Sequence, residues 1–311
     1  MAPLDEQLTK YLTDVHAMEV QALAQMRAAP KLAGDAELAA AFEAHREETE
    51  RHEALIRERL AARAASPSRI EDLLGALSGK GFVLFARVNP DTPGKLAAHA
   101  FSYEHLELAA HDLLGRVAER AGDMDTAAVA RRIRAEEEAM AARIGAAWDR
   151  TAGDGDLDSY LADAHALEAQ AIQLLERGPK IAGDSELAGL LEAHLVETRQ
   201  HLKRVDERLR ARGGKPSAIK DAAMRLGGLN WGTFFQAQKD TPAKLAAFAY
   251  AFEHLEIGGY EQLKRVAQRS GDLDTVALAE SILAEERAAA ERLYAAFEPA
   301  LDASLAAAVR S

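Results

Sequence analysis

The sequence predicts an all-α chain made of two tandem copies of one four-helix bundle, each with a long crossover between its second and third helices. Three observations carry that prediction. Composition is the first: of 311 residues, 48% are hydrophobic but only 5% aromatic. Much of that apolar content is alanine, and small residues of high helix propensity with few β-branched runs favour helices. Self-similarity is the second. At a displacement of 149 residues (45 to 194), the halves stay in register without a gap from Leu8/Leu157 to Trp148/Phe297. Matched landmarks include Tyr11/Tyr160, Asp14/Asp163, Pro30/Pro179, Pro67/Pro216, Pro93/Pro242 and Gly122/Gly271. Register that survives every loop indicates duplication, with expected domains at 1–149 and 150–311. The third is the pattern of connections, short then long then short, which suits an antiparallel bundle with one long crossover.

In copy one, the first helix is expected from about Asp5 to Arg27, with Leu8, Leu12, Val15, Glu19, Ala22 and Met26 on one stripe. It stops near Pro30. Asp35 is a suitable N-cap for a second helix reaching about Arg63, closed by Ser66-Pro67. A region from Ser68 to Pro93 follows, with a short amphipathic piece around Ile70, Leu73, Leu74 and Leu77. Asp91-Thr92-Pro93 opens a third helix, with Pro at its first position. Gly122-Asp123 turns into a fourth, ending near Trp148. Arg150 to Asp156 is rich in Gly and Asp and serves as the linker; copy two repeats the plan, and a tail follows from about Leu301.

Bulk chemistry removes several classes of function. A formal net charge of −12 argues against nucleic-acid or anionic-membrane partners. The absence of cysteine rules out disulfides, thiol nucleophiles and Cys-ligated iron–sulfur centres. No run approaches the length of a membrane span and the N-terminus carries no apolar signal segment, so a cytoplasmic protein is expected. No serine stands in a turn beside a base, and Gly79/Gly81 lacks the surroundings of a phosphate loop. Phe82, Phe85, Trp231, Phe234 and Phe235 gather aromatics in the crossovers; covering a bundle end or an interface between copies is favoured there over a partner site.

The chemistry concentrates in His45-Arg46-Glu47-Glu48-Thr49-Glu50-Arg51-His52, which returns as His194 to His201. At roughly 100° per residue, both histidines and Glu48 fall within an arc of about 60°. That face continues through Leu38, Phe42 and Ile56, so polar groups point at the core. Helix one adds Glu19, helix three Glu104-His105-Leu106-Glu107, and helix four Glu137 with Glu136 beside it. Any one of these alone would be an ordinary surface acid or a structural histidine. Five carboxylates and two imidazoles converging on one core are different, because uncompensated buried carboxylates each cost on the order of several kcal/mol. Two divalent cations per bundle would supply the counter-charge, and oxygen-rich ligands with one or two imidazoles suit iron or manganese.

The order Glu…(HxxETxxH)…(EHxE)…(EE) resembles the ferritin-like superfamily, and within it the YciE/YciF-type branch of bacterial stress-associated proteins. The matching residues are Asp14 to Glu19, the HxxET of helix two, Glu104-His105-x-Glu107 and Glu136-Glu137, with their counterparts in copy two. The resemblance implies a di-metal carboxylate centre of Fe or Mn, a link to oxidative or general stress, and ferroxidase-, peroxidase- or catalase-like chemistry. It further implies that the two fused copies pair within the chain, with further homo-oligomerisation left open. Two departures stand out: the histidine after Glu48 is four residues on rather than three, and helix four has none one turn after Glu137. The metal ligands expected on this basis are Glu19, Glu48, His52, Glu104, Glu107 and Glu137, with Glu168, Glu197, His201, Glu253, Glu256 and Glu286 in copy two. Glu48 and Glu137 would bridge the ions, and His45, His105, His194 and His254 would support the ligands from behind. The alternative is a metal-free or metal-storing helical scaffold whose inward acids keep protons.

Overall fold

A computed structural model describes residues 3–66, 92–153, 155–182, 185–215 and 241–310. The chain divides into two compact units, Met1–Thr151 and Ala152–Ser311. All regular structure among the described residues is helical, and each unit is a four-helix bundle.

In the first unit, α1 (Pro3–Met26) is followed by a single extra turn, α2 (Ala29–Leu32), and by α3 (Ala36–Ala62). The Asp35 carboxylate accepts a hydrogen bond from the Leu38 amide at 2.8 Å, capping α3 as the sequence requires. α4 (Thr92–Arg120) and α5 (Met124–Gly145) form a tight hairpin, and α6 (Trp148–Thr151) closes the unit. The hairpin turns on Gly122, whose φ of +74° is where a side chain would strain the backbone, and on Asp123, which accepts from the Thr126 amide. Arg59 and Arg63, on the last turns of α3, both reach Asp123, and Arg63 also holds Asp5 on α1 at 2.9 Å. This ionic clamp joins three helices at one end of the bundle. α1 packs on α3 and α4, and α5 packs on α3 and α4.

The second unit repeats the arrangement with α7 (Leu157–Ala182), α8 (Ser185–Ala211), α9 (Thr241–Arg269) and α10 (Leu273–Ala295). Two features differ from the sequence expectation. Where the chain breaks near Pro30, its counterpart Pro179 lies inside the continuous α7. The expected tail is instead a helix, α11 (Phe297–Arg310), packed on α9. Phe297, Ala300, Leu301 and Ser304 give it a buried stripe, and the Ser304 hydroxyl accepts from the Ala243 amide.

Every helix that lines the first bundle is apolar at its ends and polar in the middle. On α3 the buried positions are Leu38, Phe42, His45, Thr49, His52, Ile56 and Leu60, a 3–4 alternation. Met26, Leu38, Phe42, Leu96, Ile144 and Trp148 seal one side of the polar layer, and Leu8, Leu12, Ile56, Leu60 and Val117 are buried beyond it on the other. Each fully buried Leu or Phe contributes roughly 1.5–3 kcal/mol, and this apolar packing offsets a polar layer that is unfavourable by itself. The crossovers, with Phe82, Phe85, Trp231, Phe234, Phe235 and the piece from Ile70 to Leu77, lie outside the described residues. No helix among the described residues is long and apolar enough to cross a membrane.

Candidate metal centre

Each helix of a bundle delivers its polar group from the stripe that faces the core. In the first bundle these are Glu19 on α1, His45 and His52 on α3, Glu104, Glu107 and His111 on α4, and Glu137 on α5, all buried. They divide into two clusters that share one carboxylate. His45, Glu104, Glu107 and Glu137 form the first, and Glu19, His52 and Glu137 the second. Within each, one ligand atom per residue lies within 4.8 Å of all the others. The second bundle repeats both, as His194, Glu253, Glu256 and Glu286, and as Glu168, His201 and Glu286.

The distances are short. His45 Nε2 lies 3.1 Å from Glu104 Oε2 and 3.2 Å from Glu137 Oε2. His52 Nδ1 lies 2.9 Å from Glu137 Oε1 and 3.8 Å from Glu19 Oε2. Even so, His45 Nε2, His52 Nδ1, Glu19 Oε2 and both carboxylate oxygens of Glu104, Glu107 and Glu137 have no hydrogen-bond partner. A buried polar atom left so costs about 1–3 kcal/mol. So many together, gathered around one buried space, fit the donor set of a cation pair.

The imidazoles are held from behind. His45 Nδ1–H donates to Glu48 Oε2 at 3.0 Å, and His52 Nε2–H donates to Glu136 Oε2 at 2.8 Å. Arg132 donates to Glu136, and Arg143 stands 3.8 Å from Glu48. In the second bundle His194 is held by Glu197 and His201 by Glu285, which in turn pair with Arg292 and Arg204. A carboxylate on the far nitrogen fixes the ring and its tautomer, which is how metal-binding histidines are characteristically supported.

Placement of the residues expected as ligands follows from this. Glu19, His52, Glu104, Glu107 and Glu137 fall in the clusters, as do Glu168, His201, Glu253, Glu256 and Glu286. Glu48 and Glu197 do not; they stand outside, on the far nitrogens of His45 and His194, which occupy the cluster instead. The cause is helical phase. From Leu38 the 3–4 alternation reaches 45, 49 and 52, and position 48 is turned toward the surface. His105 and His254 also lie elsewhere: each bonds a backbone carbonyl one turn back, Phe101 O at 2.7 Å and Tyr250 O at 2.8 Å. Burial pushes His105 down to about 4, so it stays neutral. Sequence reasoning also passed over His111, whose Nε2–H donates to Glu19 Oε1 at 2.8 Å, and the supporting roles of Glu136 and Glu285.

The electrostatics describe a site balanced by protons when no cation is bound. Burial raises Glu104 to about 8, against the opposing pull of His45, and raises Glu107 well above its ordinary value with help from Glu137 and Glu19. Burial also disfavours charge on His52, but Glu137, Glu19 and Glu136 outweigh it and raise the imidazole to about 9. Glu137 is the exception. Burial pushes it up, yet the close approach of the His45 and His52 imidazoles holds it well below the carboxylate range. In the second bundle burial takes Glu168 to about 8 and Glu253 to about 7, while Glu286 and Glu168 hold His201 near 9 in spite of burial.

The family described as "Domain of unknown function (DUF892)" matches this chain twice, over residues 3–153 and 157–306. No solved structure matches it.

Proposed function

Because the chain belongs to the DUF892 family, within the ferritin-like superfamily, we propose that each bundle holds two ions of iron or manganese. We further propose that the protein belongs to the stress-associated branch, and that it acts on oxygen or peroxide in a ferroxidase-, peroxidase- or catalase-like manner. The observation that carries this reading is the convergence of buried, unpartnered ligand atoms on two adjoining clusters, with each imidazole steadied by an outer carboxylate. The first ion would be held by His45, Glu104, Glu107 and Glu137, the second by Glu19, His52 and Glu137. Four carboxylates and two imidazoles match the general donor complement of bundle carboxylate centres, although both imidazoles come from one helix. Four negative charges also cancel two divalent cations, leaving the histidines neutral.

When bound, the metals supply the redox chemistry. The chain's own residues supply the rest. Glu137 presents one oxygen to each cluster and would be the ligand common to both. Glu48 and Glu136 retain the far protons of His45 and His52, keeping the near nitrogens available as donors. The apolar layers on either side limit water in the pocket. Glu104, Glu107, His45 and His52 would give up the protons they otherwise keep in order to act as ligands. Elemental analysis after anaerobic Fe(II) or Mn(II) loading tests the reading. About two ions per bundle are expected; fewer than one would overturn it.

One observation favours a second reading, a metal-free scaffold. The raised carboxyls and imidazolium groups let the polar layer neutralise itself with protons. In that case Glu137→Ala would change melting but leave metal content unaltered.

A further inference from the structure

Seven groups fill the polar layer of each bundle, and six recur unchanged from one copy to the other. The seventh does not. On α4, His111 donates from Nε2–H to Glu19 Oε1 at 2.8 Å; its counterpart on α9 is Tyr260, whose hydroxyl donates to Glu168 Oε1 at 2.5 Å. All four side chains are fully buried. In both bundles the remaining oxygen, Oε2, is unpartnered and belongs to the ligand cluster. Among the described residues, the difference that touches a proposed ligand directly is therefore whether an imidazole or a phenol grips the back of its carboxylate.

That difference has a chemical direction. An O–H···O⁻ bond is shorter and stronger than one from a neutral ring N–H, and it withdraws more electron density from the carboxylate it grips. Glu168 is thereby the poorer donor to a cation. His111 has no second support, since its Nδ1 is buried without a partner. A tyrosine is also near the first centre, but it does not have the same effect: the Tyr103 hydroxyl donates to the Met18 carbonyl at 3.0 Å rather than to a ligand, and position 252 in the second copy is phenylalanine. Exposure acts in the same sense, with Glu285 behind His201 37% exposed where Glu136 behind His52 is 25%.

We propose that the two centres are unequal, the Glu19–His52 pocket of the first bundle binding its cation more tightly than the Glu168–His201 pocket of the second, and that His111 and Tyr260 set the difference. The proposal rests on the di-metal reading above. It makes position 111/260 a positioning residue that acts through the carboxylate it holds.

Mn(II) titration of the full-length chain, with free Mn(II) followed by its EPR signal, tests this. Wild-type protein is expected to show two classes of pocket separated by about tenfold, equivalent to about 1.4 kcal/mol. Tyr260→His should bring the weak class toward the tight one, and His111→Tyr should do the reverse. Tyr260→Phe removes a single oxygen and keeps the shape, so it should also tighten the weak class even if the exchanged residues fold poorly. Full stoichiometry in one class, or two classes that ignore Tyr260→Phe, would overturn the inequality and leave the di-metal reading intact. Binding below one ion per bundle would overturn both.

Discussion

The two bundles share one chain and one plan, and what has drifted between them is as informative as what has not. Both ligand clusters recur in equivalent places, as do the two outer carboxylates of each bundle, Glu48 and Glu136 matching Glu197 and Glu285. Arg143 beside Glu48 matches Arg292 on Glu197; the arginine on Glu136 is Arg132, whereas that on Glu285 is Arg204, from a different position. The clamp at one end recurs as well, where Arg59 and Arg63 on Asp123 become Arg208 and Arg212 on Asp272. Elsewhere the copies part: Pro30 ends a helix that Pro179 does not, α11 has only the short α6 as its counterpart, and His111 gives way to Tyr260. The helix ends and one buried supporting position have varied, while the ligand residues themselves have stayed. Packing alone does not demand that pattern, because apolar residues of similar volume would fill the polar layer with less strain.

The comparison can be broken most severely at the shared carboxylate. Glu137→Ala should empty the first bundle of about two ions and leave the second filled, and Glu286→Ala should do the opposite. Elemental analysis of loaded protein reads this directly, and equal loss from both bundles would show that they do not act independently. Next in size are the outer carboxylates. Glu48→Gln and Glu197→Gln should each weaken metal affinity by about 10–100-fold. The loss should be larger at Glu48, the less exposed of the two, and competition with a chelator would measure it.

A third expectation concerns pH. Glu104 and Glu168 are raised to about 8 and Glu253 to about 7 from an ordinary 4.5, and His52 and His201 to about 9 from 6.5. The folded protein thus holds protons that the unfolded chain releases. This stabilisation is complete below about pH 4.5 and is lost as pH rises toward 9. Metal-free protein should therefore melt at progressively lower temperature from pH 5 to 9, the second bundle weakening first as Glu253 ionises. Metal-loaded protein should show the trend weakly or not at all, and thermal melts of both forms would check it. The smallest effect belongs to the turns. Asp123→Ala and Asp272→Ala each remove an N-cap and an ionic clamp, for about 1 kcal/mol, and denaturant midpoints should fall equally in the two.

Much of this was legible in the sequence, for physical reasons. Duplication, the four bundle helices of each copy, the Asp35 cap and the Gly122-Asp123 turn follow from local signals that tertiary packing did not override. The short α2 and α6 and the terminal α11 were not foreseen. Glu19, Glu107 and Glu137 are on apolar stripes of unambiguous phase, so their inward direction could be read off. His45 and Glu48 could not be separated by motif alone, since they are about 60° apart. The alternation from Leu38 through Phe42 to Ile56 already favoured 45 over 48. His111 was hidden because the repeat that exposed the other ligands holds tyrosine at its second copy. Both neutralising agents expected from the sequence, cations and retained protons, are compatible with the raised carboxyls.

The most direct test of the central claim is an anomalous-scattering map from crystals of Mn(II)-loaded protein. Two peaks per bundle are predicted, flanking Glu137 and Glu286, with Glu48 and Glu197 outside the coordination sphere. A map with no peak in either bundle, and the buried acids closed on one another through shared protons, would contradict it.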